Sequence, residues 1–205
     1  MLYQIKRMKD SKEIEQCEKF NIEHYMWNSK QKPKVYGWLG YLEHQGLYVK
    51  MVCEEENPKR EYRNHRDPVY LDSAMEVFLA FPEGAITNHC MYTNFEINAN
   101  GAMLAQYGYE RHHRPFLSDE QYSQAGVNAW IEPGKWGFEV LFPEEYLKNL
   151  CDFEAIKKGK EFYCNFYKVG ETEEILHFGA FSPIESEKPD FHLPVYFTKV
   201  VIEAI

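Results

Sequence analysis

The stretch Tyr70-Leu71-Asp72-Ser73-Ala74-Met75-Glu76-Val77-Phe78-Leu79-Ala80-Phe81 sets a carboxylate inside a run that otherwise favours burial. Tyr92-Thr93-Asn94-Phe95-Glu96-Ile97-Asn98-Ala99-Asn100-Gly101 repeats the arrangement. Both stretches favour strands, and side chains alternate between the two faces of a strand. Met75, Val77, Leu79 and Phe81 therefore share one face, with Glu76 and Phe78 on the other. Thr93, Phe95 and Ile97 likewise oppose Tyr92, Asn94, Glu96 and Asn98. As antiparallel neighbours the two strands bring their apolar faces to one interior. Their polar faces then form one patch of carboxylates, amides and aromatic rings, which is the expected functional surface.

Upstream, Val35 to Leu42 and Leu47 to Cys53 flank His44-Gln45-Gly46 and read as a hairpin. Residues 54 to 69 are charged and hold Pro58 and Pro68, so they form an exposed loop of a length that is often functional. Residues 1 to 32 show no sustained period. Asp10 and Glu13 are placed to cap a short helix over Ser11 to Lys19; alternatively the segment is an irregular lead-in that packs Phe20, Ile22, Tyr25 and Trp27 on the core. Downstream, Asn100-Gly101 is a hairpin signal, and Ala102 to Tyr109 returns as a strand.

Glu110 to Gln124 reads as a second long loop. Val127 to Ile131 and Trp136 to Phe142 form another hairpin across Glu132-Pro133-Gly134-Lys135. Pro143 opens a short helix through Leu147, with Glu144 and Glu145 near its positive end. Glu161 to Val169, Ile175 to Phe181 and Val195 to Glu203 bring the total to roughly nine to eleven strands, the number an all-β sandwich of this size needs. The expectation is an all-β, two-sheet antiparallel β-sandwich with short helical segments, in one domain over residues 1–205.

Tyr, Phe and Trp make up 16% of the chain, enough both for a sandwich core and for flat contact surfaces. The formal net charge of -9 argues against nucleic acid, because phosphate binding needs a concentrated excess of Lys and Arg. Cys17, Cys53, Cys90, Cys151 and Cys164 are scattered without a CxxC spacing, so they read as buried thiols in a reducing compartment. The opening Met1-Leu2-Tyr3-Gln4-Ile5-Lys6-Arg7-Met8 lacks the apolar run of a signal peptide, and no segment is long enough to cross a bilayer. As written, the chain is expected in the cytoplasm; a chain trimmed at its start would be secreted. Nothing in the pattern speaks to an oligomer.

The order of motifs resembles that of the family-nine carbohydrate-binding modules, in particular their single-domain bacterial relatives. The resemblance rests on Gly46-Leu47-Tyr48-Val49 with Glu54 to Glu56, on Leu71 to Phe78, and on Asn94 to Gly101. Trp136-Gly137-Phe138-Glu139-Val140, Asn165-Phe166-Tyr167-Lys168 and Lys188-Pro189-Asp190-Phe191-His192-Leu193-Pro194 continue it collinearly to the end. It implies a sandwich whose sugar slot is walled by two aromatic rings, with Tyr70 and Phe191 at those positions, Glu76 as the slot carboxylate and Asn98 as a neighbouring amide. Tyr and Phe stand where family members use Trp, and Glu96 stands where an Arg is expected.

The chemistry supports the same residues independently. A pyranose has an apolar CH face on which an aromatic ring stacks, and a rim of hydroxyls that carboxylates and amides bond. Tyr70, Glu76, Glu96, Asn98, Arg111 and Phe191 are the candidate ligand-binding residues for a mono- or oligosaccharide, with no catalysis. Each has a structural alternative: Tyr70 as a strand-edge aromatic, Phe191 as a pin for the last loop, Glu76 in an ion pair with Arg111 or Arg114, and Asn98 as a strand terminator.

Two other functions are open. Glu76 with Glu96 is the carboxyl pair a glycosidase requires. A haem-binding electron-transfer domain of the same superfamily would draw on Met91, Met103 or His112. No cofactor is expected; Asp67 and Asp72 are oxygen donors of the type calcium takes, without a recognised ligand spacing. His112 and His113 are adjacent and would face apart on a strand, while Trp38 and Trp136 read as core.

Overall fold

The computed structural model describes residues 2–204, leaving Met1 and Ile205 outside the description. In chain order the strands are β1 Leu2–Ile5, β2 Arg7–Met8, β3 Lys19–Ile22, β4 His24–Tyr25, β5 Lys34–Leu42, β6 Gly46–Glu54 and β7 Ala74–Ala80. They continue with β8 Tyr92–Asn98, β9 Met103–Gly108, β10 Asn128–Glu132, β11 Lys135–Pro143, β12 Phe162–Gly170, β13 His177–Ala180 and β14 Thr198–Ile202. Three short helices join them: α1 Asp119–Ala125, α2 Glu144–Leu150 and α3 Phe153–Lys157.

The strands form a β-sandwich. One sheet runs β1-β14-β12-β7-β8-β9, with β13 and β4 attached beside β12; the other runs β10-β11-β6-β5-β2, with β3 attached to β5. Most pairings are antiparallel, but β1 lies parallel to β14 and β2 parallel to β5. The lead-in therefore belongs to both sheets. Its apolar residues are spaced for this: Tyr3 and Ile5 are buried on β1, Phe20 and Ile22 on β3.

Alternation decides which side chains meet between the sheets. Met75, Val77 and Leu79 of β7 and Phe95 and Ile97 of β8 enter the central core, as their spacing predicts. Two parallel ring stacks tie one sheet to the other: Phe20 on Phe166, with centroids 3.7 Å apart, and Phe95 on Phe142, at 3.9 Å. Large rings contribute most of such a core, because each buries a large apolar area with little loss of rotamer freedom. Trp136 is fully buried, and Trp38 packs in a satellite cluster under the second sheet.

One charged network also spans the two sheets. Lys168, fully buried on β12, donates from Nζ to Ser73 Oγ at 2.6 Å and approaches the Glu55 carboxylate at 3.8 Å. Ser73 Oγ and Trp136 Nε1 donate to Glu55 Oε2, at 2.5 and 3.0 Å. Burial alone would raise the Glu55 carboxyl, but the ammonium and these donors outweigh it and hold it below its usual range. His177 lies 2.8 Å from the Lys168 ammonium, and burial followed by that charge lowers its pKa to about 3, so the neutral ring accepts from Lys168 at Nε2.

Several local readings are corrected. The Ser11 helix is a 3-10 turn ending at Gln16, with Asp10 accepting from Lys12 N at 2.9 Å. The loop 110–124 is not wholly irregular, because Ser118 and Gln121 cap α1 reciprocally. The helix after Pro143 runs on to Leu150, and α3 follows it with Asp152 as its cap. Asn98, Ala99, Asn100 and Gly101 turn the chain as expected, Gly101 N donating to Asn98 O with a positive φ of 78° that suits glycine.

Candidate functional site

β7 and β8 pair in the register that sets Glu76 directly opposite Glu96. Cross-strand partners on one face have Cβ atoms only about 4.5–5.5 Å apart, where like charges repel. That face is the outer face of the first sheet. Loops cover most of it: Phe78, Tyr92, Tyr167, Phe178, Phe191 and Phe197 form a second apolar cluster there. Beside Glu76 and Glu96 the cover is incomplete, and a cavity of about 250 Å³ opens to solvent.

Tyr70, Glu76, Glu96, Arg111 and Phe191 all line this cavity, together with Leu104, Gln106, Glu171, Asp190 and His192. Five of the six residues singled out from the sequence are thus brought together from distant segments. Tyr70 sits on a 3-10 turn, Val69–Leu71, whose Tyr70 carbonyl accepts from Glu171 N at 2.9 Å. The turn is held by Asp72, whose carboxylate accepts from Glu61 N, Tyr62 N and Asn98 Nδ2 at 2.9, 3.0 and 2.8 Å.

Asn98 is the sixth, and it lies outside the cavity. It is fully buried, donates to Asp72 and to Tyr62 O, and accepts from Asn100 N and Ala102 N at 3.1 Å each. Every hydrogen-bonding position of its amide is engaged in holding the 54–69 loop and the turn. Its place on the polar face is as expected, but the loop above takes the amide for itself. Asp72 and Asp67 are likewise occupied by backbone amides of that loop. Among the described residues no cluster of three or more His, Cys, Asp or Glu is arranged to hold a metal ion.

Phe191 stands at the cavity and also in the packing position of a loop pin, stacked on Tyr167 with centroids 3.9 Å apart and planes 7° from parallel. The Tyr167 hydroxyl donates to Phe191 O at 3.2 Å, which fixes the loop that carries the ring. One face of Phe191 is therefore committed to the protein.

Neither arginine forms an ion pair with Glu76. Arg111 pairs with Asp190 at 3.2 Å, across the cavity mouth. Arg114 is buried with its guanidinium 4.0 Å above the Tyr92 ring, donating to Tyr92 O and Gln106 O at 3.2 Å each. Arg114 anchors the loop, and Arg111 is left at the mouth.

The two carboxyls are electrostatically unusual. Glu76 and Glu96 are only 3% and 6% exposed. Among the described residues, Glu76 has no hydrogen-bond or ion partner for its carboxylate; Glu96 accepts one bond, from Asn94 Nδ2 at 2.8 Å. Burial, and then the neighbouring Glu96, push the Glu76 carboxyl well above the usual range. Burial pushes Glu96 up to about 7 against the opposing Asn94 bond, with Glu171 adding to the rise. His192 is held neutral by burial and by the adjacent arginines, and its Nδ1 lies 2.9 Å from the Tyr92 hydroxyl.

The family described as carbohydrate-binding family 9 matches residues 6–202. The chain belongs to that family. Among solved structures it is similar to a candidate carbohydrate-binding protein from Bacteroides uniformis, 23% identical, with a TM-score of 0.79 over 98% of this chain and 99% of that one. Two structures of a family 9 carbohydrate-binding module from Caldicellulosiruptor kristjanssonii, in complex with cellotriose and with glucose, are each 10% identical with a TM-score of 0.68. They match 100% of this chain and cover 95% and 97% of their own. At such identities these likenesses show the β-sandwich fold. Among curated proteins none matches the chain in sequence.

The family 9 domain thus carries at its cavity residues that were not singled out from the sequence. Gln106 follows from alternation on β9, opposite Asn94 on the same face, whereas Glu171, Asp190 and His192 come from loops that no alternation reaches. Asp190 and His192 adjoin Phe191 in the sequence, and that adjacency is the one signal that pointed toward them.

Proposed function

We propose that this cavity is the carbohydrate site, and that the protein holds a mono- or oligosaccharide there without making or breaking a bond. The observation that carries the reading is the convergence on one opening of Tyr70 and Phe191, more than a hundred positions apart, over the floor made by Glu76 and Glu96. The half-buried Tyr70 ring offers a CH-stacking face, the small exposed part of Phe191 adds an apolar wall, and the carboxyls and Gln106 offer hydroxyl partners. The volume, about 250 Å³, falls just under the roughly 300–1,000 Å³ of drug-sized ligand sites. That suits a small saccharide unit. Two neighbouring carboxyls are also the equipment of a glycosidase; binding without turnover of an aryl glycoside separates the two readings.

Glucose and cellotriose, the ligands in the Caldicellulosiruptor structures, are the first probes, followed by a glycan panel. A saccharide at about one hundred times its Kd stabilises the folded state by roughly 2.7 kcal/mol, which a melting curve reads directly. Tyr70→Ala removes most of that shift and leaves the unliganded melting temperature nearly unchanged, because Tyr70 is only half-buried on a surface turn. A Tyr70→Ala protein that responds like its parent overturns this placement of the site.

A further inference from the structure

Four carboxylates line the cavity, from Glu76, Glu96, Glu171 and Asp190, against one guanidinium, that of Arg111, which Asp190 already engages. Two of the four are buried to more than nine-tenths, and Glu76 among them reaches the cavity with no partner among the described residues. A buried carboxylate without a partner is costly, and two opposed across adjacent strands are more so. Burial and a neighbouring carboxylate raise both carboxyls, so the unliganded pair is relieved by holding a proton; a neutral sugar leaves that proton in place, whereas a cation displaces it and offsets both charges. An anionic sugar adds to the repulsion. A metal ion lacks a converging donor set among the described residues.

We propose that the preferred ligand is an amino sugar, a saccharide whose free primary amine enters protonated and sits between Glu76 and Glu96. The inference rests on the saccharide reading of this cavity and extends it. An ammonium brings three donors on one compact group, so a single amine bonds both carboxylates while the sugar ring stays against the aromatic walls. The same amine in acetylated form has lost its charge and gained bulk, so it is a poor occupant of that position.

The test compares matched pairs at neutral pH and low ionic strength, by calorimetry on the intact protein: glucosamine, galactosamine and mannosamine, each against its parent hexose and its N-acetyl derivative. Expected is at least one hexosamine bound about tenfold or more tightly than its parent, the factor that a charge-assisted bond in a buried site gives, with the N-acetyl form weaker than both. Glu76→Gln and Glu96→Gln should each shrink that ratio toward one. Hexosamines and parents bound within about threefold of each other overturn the amine assignment and leave the saccharide site standing. If every saccharide in the wider glycan panel also fails to bind, both readings fall together.

Discussion

Replacing Glu96 by Gln should change how stability depends on pH, with a sign that the site's geometry fixes. Gln is nearly isosteric, and its carbonyl oxygen can still accept the Asn94 bond that Glu96 accepts at 2.8 Å. What it removes is the ionisable group facing Glu76. In the folded protein Glu96 is raised from an ordinary 4.5 to about 7. Between those values the folded chain holds a proton that the unfolded chain has released. Stability from this group is therefore fully present below about pH 4.5 and is lost as pH rises through about 7. At 1.36 kcal/mol per pH unit the loss is roughly 3 kcal/mol, and it belongs to the Glu76–Glu96 pair because the two titrate together.

In a chain of 205 residues, about 1 kcal/mol moves the melting temperature by roughly 2–4 °C, so the effect is on the order of 6–12 °C. The assay is thermal unfolding followed by circular dichroism, for parent and Glu96→Gln, from about pH 4 to about pH 8. The two proteins should melt together at the acid end, and the variant should melt higher at the alkaline end. The Glu55 carboxyl, held low by Lys168, titrates with the opposite sign, but it is common to both proteins and cancels in the difference. A melting-temperature difference that stays constant across the range would mean instead that Glu96 ionises as easily folded as unfolded, and that the pair bears no strain.

Phe191→Ala should destabilise the protein by about 3–5 kcal/mol even without ligand, because the ring is buried and stacked on Tyr167; chemical denaturation measures this. Asn98→Ala should cost about 1–3 kcal/mol by leaving two buried backbone amides unpaired and removing one of three donors to the Asp72 carboxylate, while calorimetry finds saccharide affinity little changed. Lys168→Met should cost about 3–5 kcal/mol in denaturant unfolding, since it leaves Glu55 buried opposite no cation, and Lys168→Met combined with Glu55→Gln should recover part of that loss.

The strands around the site were legible because their apolar residues alternate without interruption. Met75, Val77 and Leu79 could point inward only if Glu76 pointed outward, and an antiparallel partnership with β8 then put Glu96 beside it. What alternation does not encode is the cover over that outer face. Asn94, Glu96 and Asn98 lie on one side of one strand, yet Asn98 disappears under the 54–69 loop while Glu96 meets the cavity. The difference is set by Asp72, which draws in the backbone of residues 61 and 62, and no local pattern announces so long-range a contact. β1 and β3 were hidden for a related reason: four residues each is too short a span for a period to declare itself, and both are fixed by the sheets they join.

Two kinds of buried carboxylate in this fold separate stability from function. Glu55 is enclosed by an ammonium, a hydroxyl and an indole N–H, and those donors bring its pKa down. Glu76 is no less buried, yet it faces an equal charge and open cavity, and its pKa goes up. Packing explains the first, because its partners come from both sheets and the ion pair lies between them. Packing gives no reason for the second: Gln, Met or Leu at position 76 would relieve the strand of an unpaired acid at no loss to the core, which lies on the other face. A position whose most stable occupant is something other than the residue found there is kept for a reason other than packing, and this supports the saccharide site proposed beneath Tyr70 and Phe191.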